Sequence, residues 1–282
     1  MLTGKLITSV ISCGRDRNLM LNNQRSEKIK STATKVSFLV ALFLLWEFLP
    51  TWTQSDKIIP PFHEVIKAFW VNLWTGDLLK HVGYSLELIF TGIAIGILLA
   101  FVLTALCIIS KRFNDVMDVV ISIMHPLPGI ALLPVVMLLA GLGAKSIVII
   151  IIHSILWPLI VNALAGFNSI PKIQTELGKN LGMKGLKLIW LVMIPNAFPY
   201  ILSGIKIAWA RSWRALVSAE MVFGASGMIG GLGWYIYKTR FFMDVSGMFA
   251  GLISVIIIGM VVDELVLKSI ERNTVQKWGM SV

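Results

Sequence analysis

Charge is what this sequence has least of. Only 14% of its 282 residues are Asp, Glu, Lys or Arg, roughly half the ~25% of an ordinary soluble domain. Cysteine is scarcer still: Cys13 stands in a polar stretch and Cys107 in an apolar run, which leaves neither a disulfide framework nor a CxxC metal or redox pair. His63, His81, His125 and His153 have no neighbours at ligand spacing, so no metal site is expected. Clustered His, Asp and Glu of the kind an enzyme centre needs are missing as well. The net charge of +10 comes from basic residues scattered between apolar runs. They build no basic helix face, and nucleic acid is excluded as a partner.

What the chain does have is hydrophobic length. Apolar residues make up 56% of it and the mean hydropathy is +0.81, which excludes a soluble globular enzyme and a disordered chain. Runs long enough to cross a bilayer lie at about 36–52, 85–109, 119–140, 146–170, 198–222 and 245–262, so the expected fold class is an all-α membrane protein of about six transmembrane helices surrounded by lipid. Pro50 ends the first run. Between the first two, a segment over 53–82 contains a helical stretch with Val65, Ile66, Phe69, Trp70 and Leu73 on one face, as an interfacial helix requires. Gly92 and Gly96 in the second run have the GxxxG spacing that lets another helix approach closely. In the third, His125-Pro126-Leu127-Pro128-Gly129 cannot continue a helix, because each proline removes a donor and turns the preceding residue away from helical geometry. A break at membrane depth must be covered by protein or line a water-filled cavity.

Six spans put both termini on one side. With the N-terminus in the cytoplasm, sixteen of the 25 Lys and Arg fall inside, six outside, and Lys206, Arg211 and Arg214 lie within the fifth run. The positive-inside rule then favours cytoplasmic termini. The resulting organisation is a cytoplasmic tail at 1–35, a first membrane helix at 36–52, an extracytoplasmic segment at 53–82, a core at 83–267 containing a cytoplasmic loop at 168–195, and a cytoplasmic tail at 268–282.

That loop is more than a connector. Pro171 suits a first helical turn, Ile173, Leu177 and Leu181 recur at i, i+4 and i+8, and Gly182 ends the helix. The product is a short amphipathic helix outside the bilayer, with an apolar stripe that either rests on the interface or docks in a partner's groove.

Glu176, Gly182, Val192, Ile194 and Pro195 have the spacing of a cytoplasmic motif, E-A-A, three residues, G, nine residues, I-x-L-P. In this the chain resembles the permease subunits of binding-protein-dependent ABC importers, of the type I fold. Leu177 and Gly178 replace the two alanines. The resemblance covers about 60–280 and is nearest the nitrate, sulfonate and taurine branch, through Gly76-Asp77-Leu78-Leu79-Lys80-His81, Pro126-Leu127-Pro128, Ala131-Leu132-Leu133-Pro134, Gly141-Leu142-Gly143, Trp213 to Met221 and Gly230-Gly231-Leu232-Gly233. Glu87 stands where relatives usually have an arginine. The resemblance implies a non-catalytic subunit that couples to a separate ABC ATPase dimer through Glu176, Leu177, Gly178, Leu181, Gly182 and Pro195. It further implies an extracytoplasmic substrate-binding protein and a second copy of the chain. No cofactor is expected in this chain, ATP and magnesium being bound by the ATPase. Gly141 to Ser146 superficially resembles a phosphate loop, but Ala144 stands where the glycine before the lysine belongs.

Candidate pathway residues are Arg211, Trp213, Arg214, Glu220, Pro126 and Pro128. From a helix start near Pro199, Arg211 and Arg214 lie ~18 and ~22 Å along the axis, inside a core ~30 Å thick. They either line a pathway or pair structurally with Glu220. Cations on the pathway fit a small anionic solute such as a sulfonate, nitrate or taurine. A vitamin-precursor pyrimidine importer and a self-contained secondary transporter are the alternatives, the latter needing a coupling carboxylate for which only Glu87 and Glu220 are candidates.

Overall fold

The computed structural model describes residues 27, 30, 33–50, 52, 59–224 and 230–277, which fall into two compact units, 1–65 and 66–282. Most of the 1–35 tail, Cys13 within it, and the end of the 268–282 tail lie outside the described residues. Among the described residues every regular element is helical.

In the first unit, α1 (Ala33–Pro50) is an apolar helix of 18 residues. At 1.5 Å per residue it measures ~27 Å, just enough to cross a bilayer core. Phe38, Leu39 and Val40 are exposed along it, as lipid-facing residues would be. Its one acidic residue is satisfied: Glu47 lies 2.6 Å from His63 Nδ1 and accepts the His63 backbone N–H at 3.1 Å. That amide belongs to the first turn of α2 (Phe62–Trp74), so the carboxylate acts as a cap on donors the helix itself leaves unpaired. Along α2, Phe69 and Leu73 pack on apolar core, while Trp70, placed by periodicity on the same face, is exposed.

In the second unit, α3 (Leu78–Ile109) begins earlier than the apolar run suggested. Its polar first turns hold His81, which is buried and bonded through Nδ1 to the Gly230 carbonyl. After α4 (Lys111–Met124) the chain breaks at the two prolines, resumes as a 3-10 turn (Gly129–Leu132) and α5 (Leu133–Ala140), and changes direction by 90°. The centre of the unit is α6 (Ala144–Asn168), which packs chiefly on α3 and α9. Gly92 and Gly96 make the α3 contact possible: a Cβ on Gly92 would lie 2.4 Å from Ile151 Cγ2, and one on Gly96 2.9 Å from Ile155 Cγ2.

The cytoplasmic-loop sequence folds as α7 (Lys172–Asn180) and α8 (Leu186–Leu188), followed by a π-helical turn (Ile189–Met193) that runs straight into α9 (Ile194–Phe223). The fifth span therefore starts earlier than its hydropathy suggested. Pro195 stands at the junction between the π-helical turn and α9, where its missing N–H leaves a carbonyl of the preceding turn without a helical donor. Next come α10 (Leu232–Phe241) and α11 (Val245–Val261). The last helix continues past its expected end through π turns (Val262–Leu267 and Arg272–Gln276) on either side of α12 (Lys268–Glu271). Two glutamates there are paired: Glu264 with Lys268, and Glu271 with Lys206 of α9 at 2.7 Å. Among the described residues, five helices are long and apolar enough to span a membrane, six if the bent pair counts as one.

Candidate functional site

The proline break creates the site. Pro126 and Pro128 turn the chain away at the end of α4, and the His125 carbonyl accepts instead from Arg211 Nη2 at 3.0 Å, as the orphaned end of a helix at membrane depth requires. Gly129 then comes so close to α6 that a Cβ would stand 2.7 Å from Ser154 Oγ. Between the bent link, α6 and α9 lies a cavity of about 310 Å³. His153, Ser154 and Trp157 face it from α6, at positions i, i+1 and i+4; Arg211, Arg214, Ala215 and Ser218 face it from α9, at i, i+3, i+4 and i+7. Each set is a single helical stripe. The link supplies the remaining wall from His125 to Ile130.

Four of the candidate pathway residues, Pro126, Pro128, Arg211 and Arg214, thus share one cavity. Trp213 and Glu220 stand elsewhere. Trp213 is buried, stacked on Trp209 with ring centroids 5.7 Å apart, and donates from Nε1 to the Val255 carbonyl at 3.2 Å. Glu220 is 1% exposed. Its carboxylate accepts the Ser85 hydroxyl at 2.7 and 2.9 Å and the Gly233 N–H at 2.9 Å, and Ser85 Oγ in turn accepts the Leu232 N–H at 2.8 Å. Two first-turn amides of α10 are therefore capped by side chains of α3 and α9. The alternative of an arginine pairing with Glu220 is not realised: Arg214 Nε donates to the Ala210 carbonyl of its own helix at 2.9 Å. Spacing alone does not single out His153 and Trp157. Their pairing at i, i+4 opposite a cationic stripe becomes legible only once α6 and α9 are known to face each other. Among the described residues, no three His, Cys, Asp or Glu side chains come together as a metal site.

At the other end of α9, α7 stops in a way its sequence dictates. Met183 N–H reaches the Gly178 carbonyl at 3.0 Å and Gly182 N–H the Lys179 carbonyl at 2.9 Å, with Gly182 at φ +78°. This is the Schellman arrangement, whose left-handed residue is nearly always glycine. Gly178 is buried against the next helix, where a Cβ would meet Leu188 Cδ1 at 2.6 Å and Val192 Cγ2 at 3.2 Å. A second face is bare: Ile173, Leu177 and Leu181 are 70%, 60% and 68% exposed, and Glu176 is exposed beside them.

The family of binding-protein-dependent transport system inner membrane components matches residues 92–273. The chain belongs to this family. The permease is 25% identical over 239 residues to the taurine transport system permease protein of Escherichia coli, covering 83% of this chain and 85% of that one. It is 26% identical over 255 residues to a nitrate import permease protein of Synechococcus elongatus, covering 86% and 90%. A protein of Methanocaldococcus jannaschii assigned as an ABC transporter permease is 27% identical over 252 residues, covering 86% and 93%. The sequence reading of a type I ABC importer permease, all-α and multi-pass in the inner membrane, therefore holds.

Proposed function

We propose that this permease conducts a small anionic solute, of the sulfonate, nitrate or taurine kind, and is driven by a separate ABC ATPase dimer that grips α7. ATP and magnesium bind to that partner; this chain contributes the conduit and the lever. An extracytoplasmic binding protein delivers the solute, two copies of the chain form the pore across a twofold axis, and both termini are cytoplasmic.

The observation that carries this reading is a single mechanical connection. α7 holds an apolar face out to solvent while another of its faces, through Gly178, is seated on Leu188 and Val192. Val192 belongs to the turn that continues without interruption into α9, and α9 carries Arg211 and Arg214 at the cavity. A partner that moves α7 moves the base of the cation-bearing helix, which is the requirement for alternating access. The names of the taurine and nitrate relatives support the choice of an anion.

The test is reconstitution of the chain with its ATPase and binding protein in sealed vesicles. The reading requires uptake of labelled methanesulfonate, taurine or nitrate only when ATP is supplied. Uptake driven by an ion gradient in the absence of ATPase would make the chain a secondary transporter instead.

A further inference from the structure

Beside its arginines, the cavity on α9 is lined by residues that carry buried ring nitrogens left unpaired. His125 Nδ1, both ring nitrogens of His153 and Trp157 Nε1 are shut off from bulk solvent and have no hydrogen-bond partner among the described residues. Buried polar atoms left unmet are strongly disfavoured, which is why nearly all of them find partners in folded proteins. The residues that carry them line one cavity together with Arg211 and Arg214. A guanidinium has five N–H donors, and the bonds to the His125 and Ala210 carbonyls occupy one on each arginine. Among the described residues, no Asp or Glu lines the cavity. An indole N–H, imidazoles and two guanidiniums with no carboxylate among them are complementary to a compact group bearing several acceptor oxygens.

We propose that this cavity is an oxyanion-binding site within the membrane span, in which His153 and Trp157 of α6 and Arg214 of α9 hold the –SO₃⁻ or NO₃⁻ head of the solute. Arg211 contributes while also closing the end of α4. At about 310 Å³ the space lies at the small end of ligand pockets, as suits a solute of a few heavy atoms. The inference deepens the transport reading above and rests on it for the purpose of the site. It also adds something that reading does not contain. Because no carboxylate among the described residues faces the cavity, an ammonium group on the solute gains no partner there, and the site recognises only the oxyanion end. Discrimination between taurine and a simple alkanesulfonate then falls to the delivering protein.

The experiment is calorimetric titration of the full-length chain in phosphatidylcholine nanodiscs with sodium methanesulfonate, taurine and tetramethylammonium chloride. The site predicts saturable methanesulfonate binding, taurine bound no more tightly, and no response to tetramethylammonium. His153→Phe, which keeps a ring but removes both nitrogens, and Arg214→Gln, which spares the end of α4, should each weaken methanesulfonate about tenfold or more. Size-exclusion profiles matching the wild type confirm that both variants are folded. Absence of saturable binding by the wild type up to ~10 mM, full affinity in both folded variants, or taurine bound more than about tenfold tighter than methanesulfonate would each overturn the inference. Leu181→Ser on α7 separates the two readings: it should leave methanesulfonate binding intact while abolishing ATP-driven uptake. If wild-type chain binds methanesulfonate but never engages an ATPase, the transport reading fails and the site stands; if ATP-driven uptake proceeds without binding here, the site fails and the transport reading stands.

Discussion

Glycine stands at three positions for three different physical reasons, and they tolerate replacement differently. At Gly233 the reason is space: a Cβ would lie 2.2 Å from the Val217 carbonyl and 2.7 Å from Glu220 Cβ. Gly233→Ala should therefore push α10 off α9 and break the Glu220 cap, lowering the unfolding temperature in detergent by several degrees, whereas Gly83→Ala, with open space around it inside α3, should raise it slightly through helix propensity. Removing the carboxylate itself, Glu220→Ala, leaves the Ser85 hydroxyl and the Gly233 amide buried without an acceptor. At about 1–3 kcal/mol for each unmet group, the loss should be plain in thermal or denaturant unfolding. At Gly182 the reason is conformation rather than room. Nothing lies within 4 Å of where a Cβ would stand, but φ is +78°, so Gly182→Ala should cost about 1–2 kcal/mol and fray the end of α7. Gly178 behaves oppositely. Alanine there needs the terminal methyl of Leu188 to shift and Val192 Cγ2 to give by a few tenths of an ångström, and it gains about 1 kcal/mol of helix propensity. Gly178→Ala should retain transport, and Gly178→Leu should lose it.

Among the helices, the pattern of what is legible in the sequence follows the range of the interaction. Apolar runs, the proline break, the α7 stripe and its glycine stop are all local, set by periodicity and by backbone chemistry within a few residues, and each is found where the spacing placed it. GxxxG in α3 predicted a close neighbour, and α6 is that neighbour through Ile151 and Ile155. Gly92→Leu should accordingly force α3 from α6 and reduce the folded yield, while Leu98→Ala, on an exposed face of the same helix, should not. Helix boundaries are less legible. Hydropathy marks where the bilayer begins, not where the hydrogen-bond ladder does, so it misses the polar first turns of α3 and the ion-paired end of the last helix. Ser85 and Leu232, or Ser85 and Glu220, are separated by well over a hundred residues. Nothing in a linear pattern announces such a pairing.

For the whole molecule, one path joins α7 to the cavity: the exposed stripe of α7, its buried glycine on the turn before α9, the length of α9, and the cavity bounded by α6 and the broken α4–α5 link. Counting along α9 puts Arg211 and Arg214 ~18 and ~13 Å from its far end at 1.5 Å per residue, and both line the cavity. Their companions His153 and Trp157 required the tertiary arrangement. The chain belongs to the family of inner-membrane components of binding-protein-dependent transport systems; that force travels along this path is the claim to be tested. The most direct measurement is site-specific crosslinking from Leu181→Cys in native vesicles that contain the partner ATPase. The account predicts a disulfide or short-linker adduct between residue 181 and the ATPase, formed from the cytoplasmic side and changing in yield when ATP is bound. Labelling of the same cysteine from the extracytoplasmic side, or adducts with lipid alone, would contradict it.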